Sequence, residues 1–174
     1  MKEPLLIAGI GNIFFGDDAF GCEVAQELAR RPRPAGVEVC DYGIRGYDLA
    51  YALMDGRDAI LVDTVSRGGE PGTLYLIELD FDDIGNEAAL PDGHSLDPVS
   101  VLRMIHSFGG RPGCLYLVGC EPSQFELEDG QMGLSEKVQA AVPQAIEMIE
   151  SVIDQYFPDI SLRPGAAGAV KEVS

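Results

Sequence analysis

A chain of 174 residues is long enough for one domain with a sizeable core, and a hydrophobic share of 46% excludes a disordered protein. The formal net charge of −17 would repel a phosphate backbone and argues against nucleic-acid binding. No apolar run approaches the roughly 18 residues that span a membrane, and no signal-peptide pattern opens the sequence, so we expect a cytoplasmic protein without a membrane partner.

The first predicted strand is an apolar run that starts at Leu5 and ends in Gly9-Ile10-Gly11-Asn12. Such a run is typical of a strand buried on both faces of a parallel sheet. Its glycines permit a sharp turn. Asp17 and Asp18 then precede a predicted helix over 19–31, and either carboxylate could cap it. The first unit therefore predicts two acids at the carboxyl end of a central strand, where open α/β sheets place their sites.

Strands and helices alternate through the rest of the chain. Further strands are predicted over 36–41, 58–63, 73–79 and 114–120, and further helices over 47–54, 98–108 and 134–156. This order predicts an α/β fold in three layers, with a five-stranded, mostly parallel twisted sheet, helices on both faces and one antiparallel edge strand. We expect a single domain over 1–156, an acidic loop over 80–93 and a poorly ordered tail over 157–174.

Acidic residues gather at the carboxyl edge of the predicted sheet. Asp41 and Asp63 end the second and third strands, where they join Asp17 and Asp18, and His94 could reach the same edge from its loop. Two carboxylates and an imidazole are a reasonable donor set for a divalent first-row metal ion. The residues alone leave structural alternatives open, because Asp18 could cap a helix, Asp63 could bind loop N–H groups and His94 could lie in a cap region.

Other chemistries fit the sequence less well. A dinucleotide-binding fingerprint would need a third glycine at position 14, which is Phe14, and the acids that follow would repel a pyrophosphate. A serine hydrolase would need a Gly-x-Ser-x-Gly elbow, which does not occur. The four cysteines form no Cys-x-x-Cys pair, so a structural zinc site is not expected.

The motifs at this edge, in their order and spacing, resemble those of the hydrogenase maturation endopeptidases. Members of that family process the C-terminus of the large subunit of nickel–iron hydrogenases. The resemblance spans about 5–153, and its motifs are 9–12 with 16–21, Asp41-Tyr42-Gly43 with Gly46, Val62-Asp63, Pro71-Gly72-Thr73, His94, 118–122 and Gly133-Leu134-Ser135.

The resemblance implies a metal-recognition site. Asp18, Asp63 and His94 match the family's nickel-recognition residues. Some relatives carry glutamate where Asp18 stands, so this side chain is one methylene shorter here. We expect Asp18 to face the nickel and Asp17 to cap the helix.

The resemblance also implies catalytic and substrate-binding residues. Asp17 and Asp41 are the predicted catalytic acids, without separate roles assigned, and Asp17, Asp41 or Asp63 could act as general base. Relatives often read Asp-Gly-Gly-Thr where this chain has Asp41-Tyr42-Gly43. The predicted substrate-binding residues, which would leave room for a substrate chain, are Gly11, Asn12, Gly43 and Gly46.

By this resemblance, the chain is an aspartic-type endopeptidase that removes a C-terminal peptide from the nickel-loaded large-subunit precursor of a nickel–iron hydrogenase. The substrate would supply the nickel, no permanently bound cofactor is expected, and the enzyme would be a monomer. The alternative is a non-proteolytic nickel-binding maturation chaperone on the same fold. A small nucleotide-binding α/β module is a third hypothesis.

Overall fold

The computed structural model describes residues 2–83, 97–123 and 133–161. The strands are β1 (Leu5–Ile10), β2 (Val37–Gly43), β3 (Ala59–Thr64), β4 (Leu74–Leu79) and β5 (Leu115–Cys120). The helices are α1 (Phe20–Ala29), α2 (Gly46–Leu53), α3 (Pro98–Ser107), α4 (Glu136–Tyr156) and α5 (Pro158–Ser161), and 3₁₀ turns cover Gly16–Ala19 and Phe81–Asp83.

The five strands form one sheet in the order β2-β1-β3-β5-β4. Strand β1 pairs in parallel with β2 and β3, and β3 pairs in parallel with β5. Strand β4 runs antiparallel to β5 and forms one edge of the sheet. The predicted α/β fold with a mostly parallel five-stranded sheet and an antiparallel edge strand is therefore confirmed.

The sheet separates two hydrophobic cores. One core packs α1 and α4 against side chains such as Ile7 and Val62, and the other packs α2 and α3 against side chains such as Leu6 and Leu61. All six residues of β1 are buried, as the continuous apolar run predicts for a central strand covered on both faces. This arrangement leaves the carboxyl ends of β1, β2 and β3 at one edge of the sheet.

Helix α1 lies against the sheet with almost no space between the two backbones. A Cβ atom at Gly21 would overlap the carbonyl oxygens of Val62 and Ile10, and a Cβ atom at Gly9 would overlap the carbonyl oxygen of Gly21. Glycine at these positions therefore sets how closely α1 approaches β1 and β3. The same contact fixes the position of the 3₁₀ turn that precedes α1.

The N-termini of α3 and α1 differ in how they are capped. In α3, Asp97 is the N-cap and its carboxylate accepts a hydrogen bond from the Ser100 N–H at 2.7 Å, with Pro98 in the first turn. In α1, no side chain forms a cap, because the Gly16–Ala19 turn leads directly into the helix. The prediction that Asp17 or Asp18 caps α1 is therefore wrong.

The C-terminal region differs from prediction in one respect. Phe157, directly after α4, and Ile160, in α5, pack against the core, although the sequence places both in a poorly ordered tail. Residues 162–174 and most of the predicted acidic loop lie outside the described residues. No helix within 2–83, 97–123 and 133–161 is long and apolar enough to cross a membrane.

Candidate functional site

The site is built on the turn that follows β1. Gly11 has φ +143°, a conformation that residues with a side chain rarely adopt, and its N–H donates to the Gly43 carbonyl at 3.0 Å. A Cβ atom at Gly11 would overlap the carbonyl oxygen of Asp18. The chain therefore folds back on itself at Gly11, and this brings Asp18 to the end of β1.

Asp18 is 4% exposed, and its carboxylate has two hydrogen-bond donors. The Asn12 N–H donates to Oδ2 at 3.0 Å, and the Thr64 hydroxyl donates to Oδ1 at 3.5 Å. Burial raises the pKa of Asp18, and the two hydrogen bonds offset this only in part. The carboxylate is thus held in place by the turn after β1 and by the last residue of β3.

Asp63 lies one residue before the end of β3 and is 3% exposed. Its Oδ1 accepts a hydrogen bond from the Thr64 N–H at 2.8 Å. Burial raises the pKa of Asp63 well above its ordinary value, the negative charges of Asp18 and Asp97 raise it further, and the Thr64 N–H acts in the opposite direction. Asp63 and Asp18 are therefore electrostatically coupled and share Thr64 as a neighbour.

Neither carboxylate of this pair has a cationic partner within the described part of the chain. The ion pairs found there involve other acids, and none includes Asp18 or Asp63. Burying a charge without compensation costs several kcal/mol as an order of magnitude. The pair is therefore an electrostatic environment in which a cation would be strongly favoured.

The third predicted metal-binding residue, His94, lies outside the described residues. Within 2–83, 97–123 and 133–161, no group of three or more His, Cys, Asp or Glu side chains is arranged to hold a metal ion. Asp97, the N-cap of α3, follows His94 by three positions, and its charge acts on Asp63. The start of α3 is thus within electrostatic reach of the pair.

Asp17, although adjacent to Asp18, has different surroundings. It is 1% exposed, and its carboxylate accepts hydrogen bonds from the N–H and hydroxyl of Ser123 at 2.8 and 2.7 Å and from those of Ser135 at 2.7 and 2.9 Å. Burial by itself raises the pKa of Asp17, but the four hydrogen bonds together hold it below its ordinary value. Asp17 therefore joins the turn after β1 to the residues that follow β5 and precede α4.

We expect Asp17→Ala to lower the free energy of unfolding by about 2 kcal/mol at pH 7, because buried donors lose a charged acceptor. The pKa of Asp17 is below 3.8 in the folded state, so its stabilisation is complete above that pH and is lost as the pH falls through the folded-state pKa. Denaturant unfolding at pH 7 and pH 3 would measure both effects. The control is Asp82→Ala, which removes an exposed carboxylate paired with Arg111 and should leave unfolding unchanged. A difference between Asp17→Ala and the wild type that is as large at pH 3 as at pH 7 would contradict the charge-based explanation.

Asp41 is half-buried and lies within β2, two residues before its end. Its Oδ1 accepts from the Gly43 N–H at 3.0 Å and its Oδ2 from the Gln26 side-chain amide at 3.2 Å, while Arg45 donates to the Asp41 backbone carbonyl at 2.8 Å. The register of β1 and β2 shifts here, between Gly9 and Ile10. Asp41 therefore keeps a carboxylate that is both oriented and open to solvent.

The predicted substrate-binding residues mainly contact one another. The Asn12 side chain accepts from the Phe14 N–H at 2.9 Å, Gly43 has φ +56° with the Gly11 carbonyl nearby, and Gly46 is the buried first residue of α2. The space beside Gly11 is filled by the chain itself, so this glycine leaves no room there for a substrate chain. These residues build the turn that presents the acids.

Sequence reasoning missed several residues that organise this edge. Thr64 donates to both Asp18 and Asp63. The sequence indicates this role only by placing a hydroxyl residue directly after the acid that ends the predicted strand. Glu121, 5% exposed, accepts hydrogen bonds from the Arg67 and Gly68 N–H groups and the Tyr75 hydroxyl. Glu121 thereby ties the loop after β3 to the end of β5, which no local pattern indicates.

Comparisons with known proteins agree with this fold. The family model for hydrogenase maturation protease matches residues 22–152. A putative hydrogenase maturation protease from Methanocaldococcus jannaschii is 38% identical over 154 residues, covering 85% of this chain and 95% of the relative. The coenzyme F420 hydrogenase subunit delta from Methanothermobacter thermautotrophicus is 30% identical, covering 83% and 91%.

Solved structures lead to the same class of protein, an α/β endopeptidase. The hydrogenase maturating endopeptidase HybD from E. coli matches with a TM-score of 0.72 and 27% identity, covering 88% of this chain and 93% of HybD. A hydrogenase 2 maturation peptidase from a Thaumarchaeota archaeon matches with a TM-score of 0.67 and 31% identity, covering 87% and 99%. The chain belongs to the hydrogenase maturation protease family. The resemblance inferred from the sequence is therefore confirmed.

Proposed function

We propose that this protease removes a C-terminal peptide from the nickel-loaded large-subunit precursor of a nickel–iron hydrogenase and detects the substrate's nickel through Asp18, Asp63 and His94. The observation that carries the proposal is the pair of buried carboxylates at the ends of β1 and β3. Their charge has no cationic partner among the described residues, so a divalent cation would relieve it. The precursor brings that cation, and the protease needs no resident metal.

The donor atoms suit nickel. Carboxylate oxygen and imidazole nitrogen are ligands that borderline divalent first-row ions accept. Thr64 holds both carboxylates in place, since it donates to Asp18 through its hydroxyl and to Asp63 through its N–H. Within the described residues, Asp63 Oδ2 accepts no hydrogen bond and keeps its lone pairs for a ligand. Such a preorganised pair binds a cation without first rearranging.

We assign the role of general base to Asp41 in preference to Asp17. A base must accept a proton from the attacking water while the water oxygen bonds to the scissile carbonyl carbon, and the leaving amine must gain a proton. Asp41 is half-buried and accessible. Asp17 is almost fully buried and has a lowered pKa, so it is a weak base without access to water. A metal ion on the substrate could polarise the scissile carbonyl in addition.

The proposal is tested by incubating the protein with nickel-loaded and nickel-free forms of the large-subunit precursor from the same organism. We expect mass spectrometry to show loss of a C-terminal peptide only from the loaded precursor. Binding of both forms without any mass loss would instead support the maturation chaperone. Equal cleavage of both forms would contradict nickel recognition while leaving the protease activity intact.

A further inference from the structure

Large apolar side chains are exposed at few places among the described residues, and most of these places border the candidate site. Five of them are 44–65% exposed, and we refer to them together as the apolar rim: Ile13, Phe14, Phe15, Ile44 and Tyr47. The rim is composed of two short segments, one following β1 and the other following β2. The remaining exposed apolar side chains in the described residues are Tyr51, Leu76 and Tyr156.

The pairing of β1 with β2 brings the two segments of the rim together. Ile10 pairs with Gly43 in the sheet, and the Gly11 N–H donates to the Gly43 carbonyl at 3.0 Å. The first segment begins three residues after Ile10, and the second begins directly after Gly43. Both segments therefore leave the sheet from adjacent positions at its carboxyl edge.

The aromatic part of the rim has a defined backbone. The Asn12 side chain accepts from the Phe14 N–H at 2.9 Å, and the Asn12 carbonyl accepts from the Phe15 N–H at 3.1 Å. The Phe15 carbonyl in turn accepts from the Asp18 N–H at 3.0 Å. The same hydrogen-bonded turn thus presents two exposed phenylalanines, 65% and 52% exposed, and places Asp18.

The second segment of the rim borders Asp41. Asp41 precedes Ile44 by three positions, and its carboxylate is bonded to the Gly43 N–H at 3.0 Å. Tyr47 lies on the first turn of α2, where its ring stacks on Phe108 at 6.1 Å between centroids. The rim therefore flanks both Asp18 and Asp41, the acids assigned to nickel recognition and proton transfer.

Exposed aromatic and branched apolar side chains contribute little to folding and much to binding, because covering them removes apolar surface from water. A protease must bring a protein chain to the edge that carries its site, so the surface bordering that edge is covered during the reaction. The net charge of −17 would by itself favour a basic partner segment, whereas the five exposed side chains of the rim are uncharged. The charged residue between them, Arg45, donates to the Asp41 backbone carbonyl. The side chains of the rim therefore indicate the kind of segment that binds there more directly than the total charge does, and they favour an apolar one.

We propose that the apolar rim is the docking surface for an apolar segment of the precursor next to the scissile bond. This inference rests on the proposed function, because it takes the precursor as the occupant. Docking of this kind depends on buried apolar area and is insensitive to ionic strength, whereas attraction of a basic segment would weaken as salt rises.

The test is steady-state processing of the nickel-loaded precursor by a variant carrying both Phe14→Ser and Ile44→Ser. We expect KM to rise about tenfold or more, which corresponds to about 1.4 kcal/mol, with kcat and the thermal midpoint unchanged. The matched control is Leu76→Ser, which alters an exposed apolar residue on β4, at the opposite edge of the sheet, and should leave KM unchanged. For the wild type, KM should stay the same as the salt concentration is raised.

Four results would overturn the proposal. An unchanged KM in the double variant, with wild-type cleavage intact, removes the rim as a docking surface and leaves the proposed function standing. A steep rise of the wild-type KM with salt assigns docking to a basic segment. A wild-type dimer in sedimentation that the double variant converts to monomer, with KM unaffected, assigns the rim to a second copy of the chain. Failure of the wild type to cut the loaded precursor overturns the proposed function itself, and the rim proposal with it.

Discussion

The Asp63→Asn variant is expected to lose processing of the nickel-loaded precursor by about 100-fold or more while remaining as stable as the wild type or becoming more stable. Asparagine preserves the size of the side chain and can still accept from the Thr64 N–H, but it removes the anionic charge. The proposed nickel recognition depends on that charge. Cleavage followed by mass spectrometry, with equilibrium unfolding in parallel, would measure both effects.

The pH dependence of stability gives this variant a second readout. Burial raises the pKa of Asp63 above 3.8, so the folded state binds this proton more tightly than the unfolded state does. The cost of the ionised carboxylate is therefore absent below pH 3.8 and grows as the pH rises through the folded-state pKa. Asp63→Asn lacks this cost, so its stability relative to the wild type should increase between pH 4 and pH 8.

An exposed carboxylate provides the control for Asp63. Asp82 is paired with Arg111 beyond the opposite end of the sheet, and Asp82→Asn should leave processing and unfolding as they are in the wild type. If Asp63→Asn cuts the loaded precursor at the wild-type rate, the assignment of Asp63 to nickel recognition is wrong. If Asp63→Asn is less stable than the wild type at pH 7, the carboxylate has a structural role that outweighs its burial cost.

The second large effect is expected for Gly21→Ala, which should lower the free energy of unfolding by about 3 kcal/mol or more. In an open helix, replacing glycine by alanine stabilises by about 1 kcal/mol. At Gly21 the added methyl group would overlap the backbone carbonyls of Val62 and Ile10, which no side-chain rotation can relieve. The steric overlap therefore outweighs the gain in helix propensity, so the substitution destabilises the protein. To relieve the overlap, α1 would have to move away from the sheet.

Gly109→Ala separates crowding from backbone strain. Gly109 has φ +74°, and no atom lies within 4 Å of an added Cβ, so only the cost of the left-handed backbone, about 1–2 kcal/mol, applies. Thermal unfolding of both variants should show a clearly larger drop for Gly21→Ala. Equal drops would mean that α1 adjusts freely and that its close approach to β1 and β3 is not required. Processing should also fall in Gly21→Ala, since the turn carrying Asp18 precedes α1 directly.

The sheet and its carboxyl edge could be predicted because they follow from local patterns. Continuous apolar runs predict the buried strands. These runs alternate along the chain with segments of helical periodicity, and that alternation predicts a parallel sheet. Asp18, Asp41 and Asp63 stand next to predicted strands, so their common edge follows from the topology. The family resemblance adds a nickel-recognition role for Asp18 and Asp63 and marks Asp41 as a catalytic acid without a defined role, and all three assignments stay predictions.

The difference between the neighbouring acids Asp17 and Asp18 could not be derived locally. The partners of Asp17, Ser123 and Ser135, are 106 and 118 residues away in sequence, whereas Asp18 bonds to Asn12 and Thr64. Which of two adjacent carboxylates points into the site depends on how a 3₁₀ turn presents them, and helix periodicity does not determine this.

The apolar rim could not be predicted from sequence patterns either. An apolar residue in a sequence is more often buried than exposed, so Phe14 and Phe15 carry no signal that separates a binding loop from a covered one. Only the hydrogen-bonded turn around Asn12, together with the pairing of Ile10 and Gly43, shows that both segments lie at the surface beside the acids.

The strand order β2-β1-β3-β5-β4 places the candidate site on segments that follow neighbouring strands at the carboxyl edge of the sheet. From β1 the chain proceeds first to one side of the sheet and then to the other, so a crevice opens between β1 and β3 as a consequence of connectivity alone. The two acids at that crevice lie on either side of it, Asp18 in the 3₁₀ turn after β1 and Asp63 in β3. The segment after β2, which carries Ile44 and Tyr47, could therefore vary without disturbing Asp18 and Asp63, whereas the segment after β1 could not, because its hydrogen-bonded turn also places Asp18.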